Sequence, residues 1–304
     1  MGETLNARVY TPGSWAYVLP GDAAPDVLAD RALAAGLVGV WCKASDGTTS
    51  VPWWGGYLEV AAAMRARGIR CVPWLVVYPD DGAQTGWSNL LANAAAAANT
   101  YAAGDPLLLE PVMTQWSTDA AAHGAASSRA LFSALRTCAP GTLAAFCCWG
   151  DPSVLPAFPW SVWSGACAGV LPEIYPASYH LAPAAAYNQA FLGGAGGGPG
   201  LEQLHPPCPV LPTFDLSAIA ACGALARGGG FPAVGWWHLG AMTAAQVGEL
   251  DALPYARQVQ QTAPTSLSSL AQAMRAAHAA LGAAEADITA AEADITGANG
   301  SVQA

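Results

Sequence analysis

Basic charge is nearly missing from this chain. Lys and Arg together number 11 in 304 residues, against 21 Asp and Glu, for a formal net charge of −10 at pH 7. Cations this sparse form no basic patch, so nucleic acid is not an expected partner and a polybasic membrane anchor is absent. Long apolar runs are missing as well. None approaches the roughly 18–20 residues that span a bilayer, so no membrane partner is expected. The opening MGETLNARVY lacks a basic segment leading into an apolar stretch, so no secretory signal is expected. Cofactor signatures are absent too. No glycine-rich dinucleotide fingerprint, P-loop, GxSxG or HExxH occurs, nor any CxxC or Cys/His spacing that suits zinc. Neither a cofactor nor a metal is expected.

The eight cysteines are Cys42, Cys71, Cys138, Cys147, Cys148, Cys167, Cys208 and Cys222. Cys42, Cys71, Cys147 and Cys148 lie inside apolar runs, which suits buried free thiols made in a reducing compartment. A few disulfides in a secreted chain are the alternative.

What the chain does have is a large apolar fraction, 53%, enough for a substantial core. Between Ser14 and Leu253 a short apolar run, a polar turn and an Ala-rich helical stretch recur about eight times. Strands are expected at 15–19, 39–43, 70–77, 107–110, 143–148, 169–175, 210–215 and 234–238. They are apolar throughout rather than alternating, as parallel strands covered on both faces are. Helices are expected at 25–35 and near 57–67, 87–102, 119–137, 183–192, 216–227 and 243–253, with an irregular connection at 149–166. Eight such units in about 240 residues predict an α/β fold, a (β/α)8 TIM barrel. An open doubly wound sheet is the competitor, and the missing dinucleotide fingerprint argues against it.

The last forty residues follow another period. Leu267, Met274, Leu281, Ile288, Ile295 and Val302 recur every seven positions. Leu270, Ala277, Ala284, Ala291 and Ala298 follow three residues behind, and AAEADIT occurs in tandem at 283–289 and 290–296. This is the seam of a left-handed coiled coil, which needs further copies of the chain to cover it. The expected organisation is a barrel at 1–253, a linker at 254–264 and a coiled-coil oligomerisation helix at 265–304.

In such a barrel, ligands bind at the C-terminal ends of the strands. Glu110 ends the apolar run Leu107-Leu-Leu and should hold its proton more tightly through desolvation, which suits a general acid. Glu173 in LPEIYP and Asp215 in VLPTFD are candidates for the second carboxylate of a glycosidase pair, as nucleophile or water-activating base. Asp215 equally suits a helix N-cap. Lys43, Asp46, Trp74, Tyr78, Trp116, Tyr175, Trp237 and His238 stand at or just beyond strand ends and are read as substrate-binding. Twelve tryptophans offer flat rings of the kind that stack on sugar C–H faces.

The run Ala34 to Thr48, with Lys43-Ala-Ser-Asp-Gly47, resembles the second-strand segment of family-25 glycoside hydrolases, the lysozyme-type muramidases. Leu107-Leu-Leu-Glu-Pro111 is similar to their fourth-strand segment and implies Glu110 as proton donor. Leu108 stands where that family has Asp, and Leu19-Pro-Gly stands where an Asp would end the first strand. The C-terminal repeats resemble stalk segments of phage tail fibres and other trimeric appendages, which implies a trimer. Together these resemblances imply a virion tail or baseplate component that binds, and with its carboxylates hydrolyses, a bacterial surface polysaccharide or peptidoglycan. Other tail proteins would be further partners, and the location would be the virion, or otherwise the cytoplasm. The rival readings are a non-catalytic structural or receptor-binding protein on a degenerate glycosidase barrel, and a metabolic barrel enzyme acting on small molecules.

Overall fold

The computed structural model describes residues 13–47, 51–79, 86–101, 107–118, 124–149, 155–173, 210–212, 219–220, 224 and 233–253. Asp215, Tyr175, the helix expected at 183–192, the linker and the coiled coil all lie outside these residues. The chain divides into two units, Met1–Arg257 and Gln258–Ala304, and the second is wholly outside the described residues.

The first unit is a closed barrel of parallel strands in sequence order. The strands are β1 (Gly13–Val18), β2 (Gly39–Asp46), β3 (Arg70–Val77), β4 (Leu107–Pro111), β5 (Ala144–Trp149), β6 (Gly169–Glu173), β7 (Val210–Pro212) and β8 (Ala233–Trp237). β8 closes the ring on β1, with Gly13 opposite Ala233 and Ala16 opposite Trp236. The described helices are α1 (Pro25–Ala34), α2 (Val51–Ala66), α3 (Gly86–Tyr101), α4 (Met113–Thr118), α5 (Gly124–Cys138), α6 (Trp160–Ala166) and α7 (Ala244–Ala252).

Local chemistry explains several of these ends. α1 begins with Pro25, whose missing N–H costs nothing in a first turn, and carries Asp26 there and Arg31 in its last turn. α7 is opened by a capping box between Thr243 and Gln246. α2 starts at Val51, earlier than the expected position near 57. Pro52 is tolerated in a first turn, and Gly56 lets the helix approach Pro20 so closely that a Cβ there would collide with its ring. The connection expected to be irregular at 149–166 contains α6, which buries Trp160 and Trp163.

Burial follows the pleat of the strands. Ala16, Val18, Val40, Cys42, Leu75, Val77, Leu107, Leu109, Phe146 and Cys148 form one outer core with helix residues such as Leu28, Tyr57, Leu91 and Leu131. The alternate positions face the barrel interior. Low in the barrel Trp15 stacks on Trp41, ring centroids 5.0 Å apart and 18° from parallel. Gly39 makes room for this stack, because a Cβ at that position would run into the Trp15 ring. The Arg31 guanidinium donates to the carbonyls of Leu239 (3.3 Å) and Gly240 (2.8 Å), which ties α1 to the turn after β8 where the barrel closes.

The described cysteines Cys42, Cys71, Cys138, Cys147, Cys148 and Cys167 are free thiols, and all but Cys138 are buried.

Candidate active site

The same alternation that sends Leu107 and Leu109 outward turns Leu108 and Glu110 into the barrel. It turns Tyr17 on β1, Lys43 on β2, Trp74 on β3, Cys147 on β5, Glu173 on β6 and Trp237 on β8 inward as well. These side chains meet at the C-terminal end of the barrel, the end at which such folds bind ligands.

Aromatic rings form the floor. Tyr17 packs against Trp41, Trp74 and Trp237, with centroid distances of 5.1, 4.9 and 5.3 Å, and Trp74 meets Trp237 edge-on at 5.7 Å. Beside them Lys43 Nζ lies 4.9 Å from the Trp53 ring centroid and 5.3 Å from that of Trp74. Its ammonium donates to Asp46 Oδ2 at 2.6 Å, and the Tyr78 hydroxyl donates to Asp46 Oδ1 at 2.7 Å. Partial burial pushes the Asp46 carboxyl upward, but the hydrogen bonds from Lys43 and Tyr78 outweigh it, so its pKa stays below the ordinary value. Asp46 is therefore an anion near neutral pH, paired with the Lys43 ammonium.

Two further carboxylates are nearly enclosed. Burial raises the pKa of Glu110, and Asp46 adds to the rise; the Trp74 indole and the Lys43 charge oppose it. Trp74 Nε1 is buried and outside hydrogen-bonding geometry with any acceptor, yet it favours the charged form of Glu110. Glu173 moves further, to about 7. Burial is the main cause, the negative Glu110 adds to it, and a hydrogen bond from Cys147 works against it. Among the described residues no cation offsets these effects at Glu173 as Lys43 does at Glu110. Its proton affinity is therefore raised more than that of Glu110.

A hydrogen-bonded chain crosses the barrel to Glu173. The Tyr17 hydroxyl donates to Cys147 Sγ at 3.1 Å, and the Cys147 thiol donates to Glu173 Oε1 at 3.3 Å. Burial, then the charges of Glu173 and Glu110, push the thiol well above its ordinary pKa. Cys147 is thus a neutral donor, not a thiolate nucleophile.

At the rim, His238 Nδ1 lies 3.2 Å from Asp22 Oδ2, off the axis of a hydrogen bond. The same carboxylate oxygen accepts from the Leu19 backbone N–H at 3.3 Å.

The structure thus brings together Lys43, Asp46, Trp74, Tyr78, Glu110, Glu173 and Trp237, with His238 at the edge. Trp116 does not join them. It is 0% exposed, donates its indole N–H to the Val77 carbonyl at 3.0 Å, and packs between Trp87 and Trp163. The short helix α4 carries it outward from β4, so it is a core residue with no free face for a sugar. Tyr17 and Cys147 are site residues that sequence reasoning missed.

No protein-family model matches the chain, and no curated protein does. Solved structures do resemble it. The spore cortex-lytic enzyme SleL of Bacillus megaterium QM B1551 aligns over 79% of this chain and 73% of its own, with TM-score 0.53 and 10% identity. A GH18 chitinase from Pseudoalteromonas aurantia aligns over 80% and 99%, with TM-score 0.54 and 10% identity. An exo-beta-1,4-mannosidase from Opitutaceae bacterium strain TAV5 aligns over 82% of this chain and 60% of its own, with TM-score 0.56 and 12% identity. The fold is a TIM barrel similar to those of these solved enzymes. These neighbours support that barrel in general and not the family-25 lysozymes in particular. At such identities the likeness speaks for fold alone.

Proposed function

We propose that this barrel binds and hydrolyses a glycan of the bacterial surface, with Glu173 and Glu110 as its acid pair. One observation carries the reading: two interior carboxyl groups share one barrel mouth, and their surroundings push their proton affinities apart. That separation is how a pair of acids divides the roles of proton donor and ionised partner. Glu173, protonated in part at neutral pH, donates its proton to the glycosidic oxygen as the bond to the anomeric carbon breaks. Glu110, whose anion the Lys43 charge favours, attacks that carbon or activates the water that does so. In the first case water then cleaves the glycosyl-enzyme ester and Glu173 regains its proton. A carboxylate separation of about 5–5.5 Å gives retention, and about 6.5–9.5 Å gives inversion. The rings of Trp53 and Trp237 supply apolar surface for a sugar face, and the paired Lys43–Asp46–Tyr78 group offers fixed hydrogen-bonding partners for its hydroxyls.

The solved structures of similar fold include a chitinase and a spore cortex-lytic enzyme, so chitin, spore cortex and peptidoglycan are the polymers to test. Release of reducing ends from each by the full chain is expected, and Glu110→Gln should abolish it while leaving the melting temperature close to wild type. Undiminished release by that variant would remove Glu110 from the mechanism.

A second reading is carbohydrate binding without cleavage. Leu108 favours it, because this interior position, two residues before Glu110, is fully buried and apolar. Wild-type protein that is retained on a polymer but releases nothing from it would select this reading.

The heptads of 265–304 support a further element of the proposal, display of several barrels on one stem in a virion tail or baseplate. Linked copies raise avidity for a repetitive glycan without new contacts.

A further inference from the structure

We propose that Tyr17 and Cys147 act together as a positioning relay that fixes the Glu173 carboxylate within the barrel mouth. This rests on the assignment of Glu173 to the acid pair, and adds the groups that hold it there.

The relay is built from the ring outward. Tyr17 sits among Trp41, Trp74 and Trp237, all within 5.3 Å centroid to centroid, so its ring has little freedom to turn. A locked ring aims its hydroxyl at one place, and that place is Cys147 Sγ. Cys147 is 1% exposed, and its sulfur spends its own proton on Glu173 Oε1. Three strands, β1, β5 and β6, thereby hold one carboxylate oxygen.

The choice of sulfur has a physical consequence. A thiol is a weak donor, so it orients the carboxylate while stabilising its charge only slightly. A stronger donor such as a backbone N–H or an ammonium would lower the proton affinity of Glu173 and remove it from acid duty near neutral pH. Among the described residues the titratable groups that interact with Glu173 are Glu110 from β4, Cys147 from the inner and Cys148 from the outer face of β5, and Tyr17 from β1. Of these, the hydrogen bond from Cys147 is the one that favours the Glu173 anion; Glu110 and burial act against it.

The test follows protonation directly and needs no substrate. An infrared pH titration of the full chain reads the protonated carboxyl band of Glu173, assigned by its loss in Glu173→Gln. Wild type should titrate near 7. Cys147→Ala should move the midpoint upward by roughly half to one pH unit. Cys147→Ser, which keeps a donor, should return most of the shift. Tyr17→Phe keeps the ring and removes the hydroxyl that polarises the thiol, so it should move the midpoint in the same direction by less. It also decides the matter if Cys147→Ala fails to fold. A midpoint unchanged in folded Cys147→Ala and Tyr17→Phe, or a Cys147→Ser that behaves as Cys147→Ala does, overturns the relay. The expected shifts in a protein that cleaves none of the polymers above would leave the relay standing and defeat the glycosidase reading instead.

Discussion

Replacing Glu173 by Gln should stabilise the protein at high pH and do little at low pH. The buried Glu173 carboxyl is raised from 4.5 to about 7. In the unfolded chain the group ionises at its ordinary value, so the folded state binds the extra proton through the window between the two. Below pH 4.5 both states are protonated and the carboxyl behaves much as an amide would. As pH rises through 7 the folded protein must bury a charge that the unfolded chain carries in water, and the stability present at low pH is lost. At about 1.4 kcal/mol per unit the loss is roughly 3 kcal/mol. Gln is neutral throughout, keeps an oxygen that accepts from Cys147, and escapes this cost. Urea unfolding of both proteins, followed by tryptophan fluorescence from pH 4 to pH 8, measures the difference. Glu110 titrates in both and largely cancels. The variant should gain about 3 kcal/mol relative to wild type between the ends of the range. A difference that stays constant with pH, or that favours the variant at pH 4, would refute the placement of Glu173 in a desolvated site.

Two aromatic substitutions should separate core from site. Trp116→Ala removes a fully buried ring and should cost about 3–5 kcal/mol in the same unfolding assay. Trp53→Ala removes a half-buried ring beside Lys43; it should leave stability nearly unchanged while weakening retention on the polymer that wild type binds best. Equal destabilisation by the two would contradict this division. In the C-terminal heptads, Ile288→Asp together with Ile295→Asp places charge in the proposed seam. Sedimentation should report an oligomer, expected to be a trimer, for wild type and a monomer for the double variant; a wild-type monomer would remove the stem from the proposal.

The barrel was legible because its strands are buried on both faces, which leaves unbroken apolar runs between polar turns. Arg70–Val77 begins and ends where its sequence run does, and the other described strands differ from expectation by a few residues at most. The end-of-strand rule then located Lys43, Asp46, Trp74, Tyr78, Glu110, Glu173 and Trp237 without coordinates. The same double burial hid the rest. When both faces are apolar, alternation does not say which residues face the barrel interior, so Tyr17 and Cys147 read as ordinary core. Trp116 was misplaced for a related reason. It follows a strand end closely in sequence, but α4 carries it to the outer core against Trp87 and Trp163. The order of the two acids depends on Lys43 lying beside Glu110, and on Glu110 lying beside Glu173. These are spatial relations between three strands that no local pattern encodes.

The most direct test of the shared acid pair is a crystal structure of the full chain as Glu173→Gln, soaked with a chitin or peptidoglycan oligosaccharide. The account predicts a sugar ring in the barrel mouth against Trp237 or Trp53, with Glu110 facing its anomeric carbon and the residue at 173 within hydrogen-bonding distance of the glycosidic oxygen. An oligosaccharide bound elsewhere on the protein while both carboxyl positions remain out of its reach would contradict it.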